Sequence, residues 1–152
     1  MLLTTVGRLE NVNPPDTLIF IGENTFDNYF QLKNIIIPDS VTSLNGVFRI
    51  SGISRIVIQE SVDSISDYEF YGCFDLQEIE LPSTLASIGE CAFARCYNLR
   101  EIKIPGSVVS IGEKAFFDCE NLTIVELPPN AVIASDAFEG TPFGEERSAQ
   151  RR

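Results

Sequence analysis

The chain repeats itself every 23 residues, and no other feature narrows its fold as much. Pro82, Pro105 and Pro128 are 23 residues apart, as are Ile65, Ile88 and Ile111, and Phe70, Phe93 and Phe116. The same offset joins Cys73, Cys96 and Cys119, and Leu76, Leu99 and Leu122. An earlier copy runs from Ile21 through Phe26 and Leu32 to Pro38. The next, Val41 to Ile58, is shorter: Pro38 to its counterpart Gln59 is 21 residues. A last copy, Val132 to Phe143, breaks off after Phe138. The copies cover residues 18–143. One such unit cannot bury its apolar side alone, whereas stacked copies share a continuous core.

Each part of the unit has a physical role. Leu-x-x-Ile-x-Ile alternates at its end, so strands are predicted at Leu32–Ile37, Ile53–Ile58, Leu76–Leu81, Leu99–Ile104 and Leu122–Leu127. Proline then stops the strand because it has no N–H to donate. A second apolar pair, as in Val108 and Ile111, starts the return path. Gly22, Gly89 and Gly112 follow it, with Asn45 and Ser66 in the same slot elsewhere. Gly and Asn tolerate positive φ, which predicts a tight turn there. The Ala-Phe-x-x-Cys stretch reads as a helical turn that lays its Phe inward. Phe26, Phe48, Phe70, Phe93, Phe116 and Phe138 would then form a spine inside the stack.

The run Ile104-Pro105-Gly-Ser107-Val108-Val-Ser110-Ile111-Gly112-Glu-Lys-Ala115-Phe116-Phe-Asp-Cys119-Glu-Asn-Leu122 resembles the BspA-like, or Treponema-type, leucine-rich repeats. That resemblance implies an α/β solenoid of about 5–6 repeats of 23 residues, a right-handed superhelix with a parallel sheet on its concave face. It also implies cell-surface or extracellular proteins that adhere to other proteins or cells, and no catalytic residues. Met1 to Arg8, by contrast, has neither the basic n-region nor the apolar stretch of a signal peptide.

Composition points the same way. The 152 residues carry 22 acidic and 11 basic side chains, a net charge of −11, which repels nucleic acid and anionic membrane surfaces. No run is long enough to span a bilayer. There is no His, so the usual general base, metal ligand and nucleophile partner is missing. Cys73, Cys96 and Cys119 share one slot, which Tyr29 fills in the first copy. They are expected to be small buried fillers rather than zinc ligands or disulfides. Cys91 aligns with Asn24, Tyr68 and Lys114, so its slot is expected to face solvent. Asn121-Leu122-Thr123 is a glycosylation sequon whose neighbours lie in a core slot, which predicts poor access.

The outward slots of the strands hold Asn34 and Ile36, Arg55 and Val57, Glu78 and Glu80, Glu101 and Lys103, and Ile124 and Glu126. Parallel stacking sets Arg55 beside Glu78, and lets Glu80, Lys103 and Glu126 compensate one another. The first two strands remain the best contact patch: Ile36 and Val57 side by side, rimmed by Asn34 and Arg55. The reading is one leucine-rich repeat domain over 1–143, with an N-terminal cap at 1–17 and a flexible tail at 144–152. It is a non-enzymatic module that binds a protein or peptide through Asn34, Ile36, Arg55 and Val57, with no cofactor and no metal. The alternative is a structural or oligomerising element that stacks on another copy through an exposed end.

Overall fold

A computed structural model describes residues 10–151. In chain order its strands are β1 (Asn11–Val12), β2 (Asn34–Ile37), β3 (Arg55–Ile58), β4 (Ser64–Ile65), β5 (Glu78–Glu80), β6 (Ser87–Ile88), β7 (Glu101–Lys103), β8 (Ser110–Ile111), β9 (Ile124–Glu126) and β10 (Val132–Ile133). A helix, α1, follows at Pro142–Gln150. Every strand pairing is parallel. The main sheet runs β1-β2-β3-β5, and β7-β9 continues beside β5 as a two-stranded sheet. A second sheet, β10-β8-β6-β4, is built from the two-residue strands on the return path. Register follows the repeat: Ile35 pairs with Ile56, and Ile56 with Ile79. The protein is therefore a solenoid of coils: coil 1 (18–37), coil 2 (41–58), coil 3 (62–81), coil 4 (85–104), coil 5 (108–127) and a partial coil 6 (131–141).

The main strands begin about two residues later than the alternation predicts, because the leading Leu or Ile of each lies in the preceding turn. The return path, expected only to turn, forms a sheet of its own. The stack also starts earlier than residue 18: β1 pairs with β2 through Asn11↔Asn34, so one more strand precedes coil 1. The rest of the expected N-terminal cap, residues 1–9, lies outside the described residues.

The six predicted Phe rings are all buried. They stack face to face along the axis, with centroids 5.0–5.5 Å apart. The Cys column is buried as expected. Cys73, Cys96 and Cys119 each donate to the carbonyl of the Phe one coil back: Phe48, Phe70 and Phe93, at 3.0, 3.3 and 3.0 Å. Burial pushes the Cys73 thiol up to about 12 and the Cys96 thiol well above the usual range, so both stay protonated.

Four expectations fail. Gly22, Gly89 and Gly112 do not supply positive φ. That conformation falls two residues later, on Asn24, Tyr68, Cys91 and Lys114, at φ between 51° and 59°. Glycine is needed at 89 and 112 for close approach: a Cβ on Gly89 would collide with Asp67 of coil 3, and one on Gly112 would lie 2.8 Å from the Glu90 nitrogen of coil 4. Cys91 is 8% exposed rather than solvent-facing, because a side chain this small sinks below its slot's long neighbours. Its thiol is raised chiefly by burial and sits beside the Tyr68 hydroxyl. Asn121 is exposed despite its core neighbour, its amide nitrogen donating to the Tyr97 carbonyl at 2.6 Å. In place of a flexible tail the chain forms α1. Thr141 caps it by accepting from the Gly144 N–H at 2.9 Å, and Pro142 opens its first turn. Phe143 then lies edge-on against Phe138 with centroids 5.1 Å apart, closing the end of the core.

Candidate functional site

The alternation of β2 and β3 buries Ile35, Ile37, Ile56 and Ile58 and turns the intervening residues outward. Parallel register then sets Asn34 beside Arg55 and Ile36 beside Val57, as the repeat predicts. Ile36 is 51% exposed, and Val57 beside it is half-buried. The four residues line one shallow hollow together with Asn11, Asn13 and Ile35. Its volume, about 130 Å³, is well below the roughly 300–1,000 Å³ of small-molecule pockets and suits one or two side chains of a larger partner.

The rim is held by hydrogen bonds and ion pairs. The Asn34 amide donates to Asn11 Oδ1 at 2.9 Å. Arg55 is clamped by two carboxylates, Glu78 at 3.2 Å and Glu80 at 2.9 Å. Glu80 thus turns to Arg55 rather than to Lys103, leaving Lys103 paired with Glu126 alone at 3.4 Å. These pairs are exposed, so each contributes little stability; their effect is to hold Arg55 in place.

Beneath this patch lies a feature the repeat alone does not reveal. Coil 2 lacks one residue between Leu44 and Phe48, where the other coils have five steps from Ile to Phe, and another between Ser51 and Ile53. In regular coils, turn N–H groups donate to carbonyls of the next coil, as Phe70 does to Ala92 and Phe93 to Ala115. Coil 2 is too short to meet those carbonyls along its whole turn. Glu69 of coil 3 fills the gap: its carboxylate accepts from the N–H groups of Gly46 and Val47 at 2.6 and 2.8 Å. Glu69 is fully buried in a slot that holds Ala92, Ala115 and Ala137 in later coils. Burial pushes its carboxyl up to about 7, against the pull of the backbone donors. The second deletion is closed by Gly52, where a Cβ would collide with the Phe30 carbonyl. Lys33 of coil 1 spans it, contacting the Gly52 carbonyl at 3.3 Å and Asp75 of coil 3 at 2.8 Å. The sequence signal for Glu69 was a 21-residue copy followed by a carboxylate in an alanine slot.

These features match a known family. The model for the BspA type leucine rich repeat region matches residues 4–47 and 44–146, in six copies. The chain belongs to the BspA-type leucine-rich repeat family. A leucine-rich repeat protein from Bacteroides ovatus is 35% identical, with a TM-score of 0.71 over 78% of this chain and 33% of that one. A leucine rich cell surface protein from Faecalibacterium prausnitzii is 28% identical, with a TM-score of 0.74 over 89% and 40%. The T. pallidum leucine rich repeat protein is 29% identical, with a TM-score of 0.65 over 70% and 53%. The BspA-type chain thus spans between a third and about half of these structures. A comparison with curated proteins gives no match.

Proposed function

We propose that this BspA-type chain is a non-catalytic interaction module that binds a protein or peptide across β2 and β3, through Asn34, Ile36, Arg55 and Val57. The observation that carries the reading is the hollow itself: an exposed Ile36 beside Val57, rimmed by polar groups already fixed in position. Burying apolar surface at such a patch supplies affinity, and pre-set rim groups lose little freedom on binding. Beyond β5 the main strands present Glu101, Lys103, Ile124 and Glu126, where a single exposed apolar residue, Ile124, stands among partly compensated charge and not beside a second apolar side chain. The F. prausnitzii neighbour is a cell surface protein, which supports a cell surface as the setting.

The test is a selection of peptide binders on the immobilised chain, followed by affinity measurement on the double variant Ile36→Asp with Val57→Lys. Both side chains point away from the core, so the fold should survive and binding should drop by about tenfold or more. Binders whose affinity is unchanged by the double variant would place the contact elsewhere.

A further inference from the structure

The outward face of the main sheet changes character along the stack. β2 and β3 present Asn34, Ile36 and Val57, with Arg55 as the one charge. β5, β7 and β9 then present Glu78, Glu80, Glu101 and Glu126, with Lys103 and Ile124 among them. Pairing within the face does not even out this balance. Arg55 is shared by Glu78 and Glu80, at 3.2 and 2.9 Å, so one of those two charges stays uncompensated. Lys103 is taken by Glu126. Glu101 is exposed and has no ion-pair partner among the described residues. On the margins, Asp39 and Glu60 are exposed just after β2 and β3, and Arg100 just before β7, which adds one more negative charge than it removes.

This acidic stretch adjoins the apolar hollow directly. Val57 pairs with Glu80, and Arg55 with Glu78. Stacked strands lie about 4.8 Å apart, which puts Glu101 on β7 about 12 Å across the strands from the Ile36–Val57 pair. Four residues of extended chain cover that span, at about 3.3 Å each. The chain as a whole carries a net charge of −11, so the field over the face attracts cations toward it.

We propose, resting on the hollow as the contact site, that its partner is a basic segment of another protein. The segment crosses the strands with an aliphatic or aromatic side chain on Ile36 and Val57. A Lys or Arg about four residues away lies over Glu78 and Glu101. The apolar contact supplies affinity, and the charge selects the partner and speeds its approach. An acidic segment is repelled by the same carboxylates. A wholly apolar segment of that length would strip water from Glu101 and return nothing for it.

The test selects peptides from a random display library on the immobilised chain at low salt and sequences the binders. They should be enriched in Lys and Arg relative to the library, at about four residues from an apolar side chain. For a synthetic copy of the best binder, Glu101→Lys should weaken binding about fivefold or more, and so should raising NaCl to about 0.5 M. Exchanging that peptide's basic residue for Glu should reverse the preference, so that the Glu101→Lys chain binds it better than wild type does. Glu101 is exposed, so its charge reversal leaves the fold in place. Ile36→Asp with Val57→Lys adds one acid and one base, so it removes the hollow without changing the net charge, and it should abolish binding of the basic peptide. Binders with no basic enrichment, or an affinity indifferent to Glu101→Lys, overturn the proposal; if such binders still fail on the double variant, the hollow stands as the contact site with a partner of other chemistry. Basic binders indifferent to the double variant adhere through overall charge alone and overturn both the proposal and the hollow. A selection that yields no binder also overturns both.

Discussion

The junction between coils 4 and 5 and the junction between coils 2 and 3 close the same backbone ladder with different atoms. At the first, the Phe93 N–H finds the Ala115 carbonyl, and the Ala115 side chain only fills space. At the second, a coil one residue short in its turn leaves Gly46 and Val47 out of step, and the Glu69 carboxylate accepts in place of a carbonyl. A regular junction spends no charge. The irregular one buries a carboxylate, which costs desolvation but removes two unsatisfied donors. A repeat protein can therefore absorb a deletion where a neighbouring coil supplies the missing acceptor.

The comparison is tested most severely where packing alone acts. Phe93→Ala should destabilise the chain by roughly 3–5 kcal/mol, because the rings on either side are pinned in their own coils and cannot close the cavity. Chemical denaturation measures this, and a midpoint equal to wild type would remove Phe93 from the core. Transplanting the irregular solution should also fail. Ala92→Glu places a carboxylate where the Phe70 N–H is already committed to the Ala92 carbonyl. The cost should be about 3 kcal/mol, since the buried charge finds no free donor. An unaffected melting temperature would mean that the alanine slots tolerate acid generally and that Glu69 is not a special repair.

Titration sharpens the contrast. Glu69 has a carboxyl near 7 in the fold against an ordinary 4.5, so the folded state holds its proton more tightly than the unfolded chain. Its contribution is fully present below pH 4.5 and is lost as pH rises through 7. Glu69→Gln cannot ionise. Its Tm relative to wild type should therefore rise by roughly 5 °C between pH 4.5 and pH 8. A constant difference across that range would mean that Glu69 does not ionise within it. The smallest effect concerns thiols. Cys73, Cys96 and Cys119 should react with an alkylating reagent much more slowly than an unfolded control, and Cys91 at an intermediate rate. Alkylation of all four at the unfolded rate would contradict the burial of the column.

Where local chemistry and period sufficed, the sequence was a reliable guide. Alternation located the strands to within about two residues, and one Phe per period predicted the ring spine. It also placed Ile36 beside Val57 and Arg55 beside Glu78, because parallel stacking preserves the repeat register. It misjudged positions whose environment is set by another coil. Cys91 looked exposed because its counterparts are long polar or aromatic residues, yet its own size lets it sink. Gly89 and Gly112 looked like turn glycines, but the neighbouring backbone is what leaves no room for a Cβ.

By itself, then, the sequence determined the period, the parallel stack, the inward spine and the outward patch, since each follows from which residues recur and at what spacing. Only the tertiary structure decided which donors lack acceptors. Hydrogen bonds between coils depend on backbone positions 21–24 residues apart, and a single missing residue shifts them. That is why the role of Glu69 and the double clamp on Arg55 emerged from the packed coils and not from the repeat pattern.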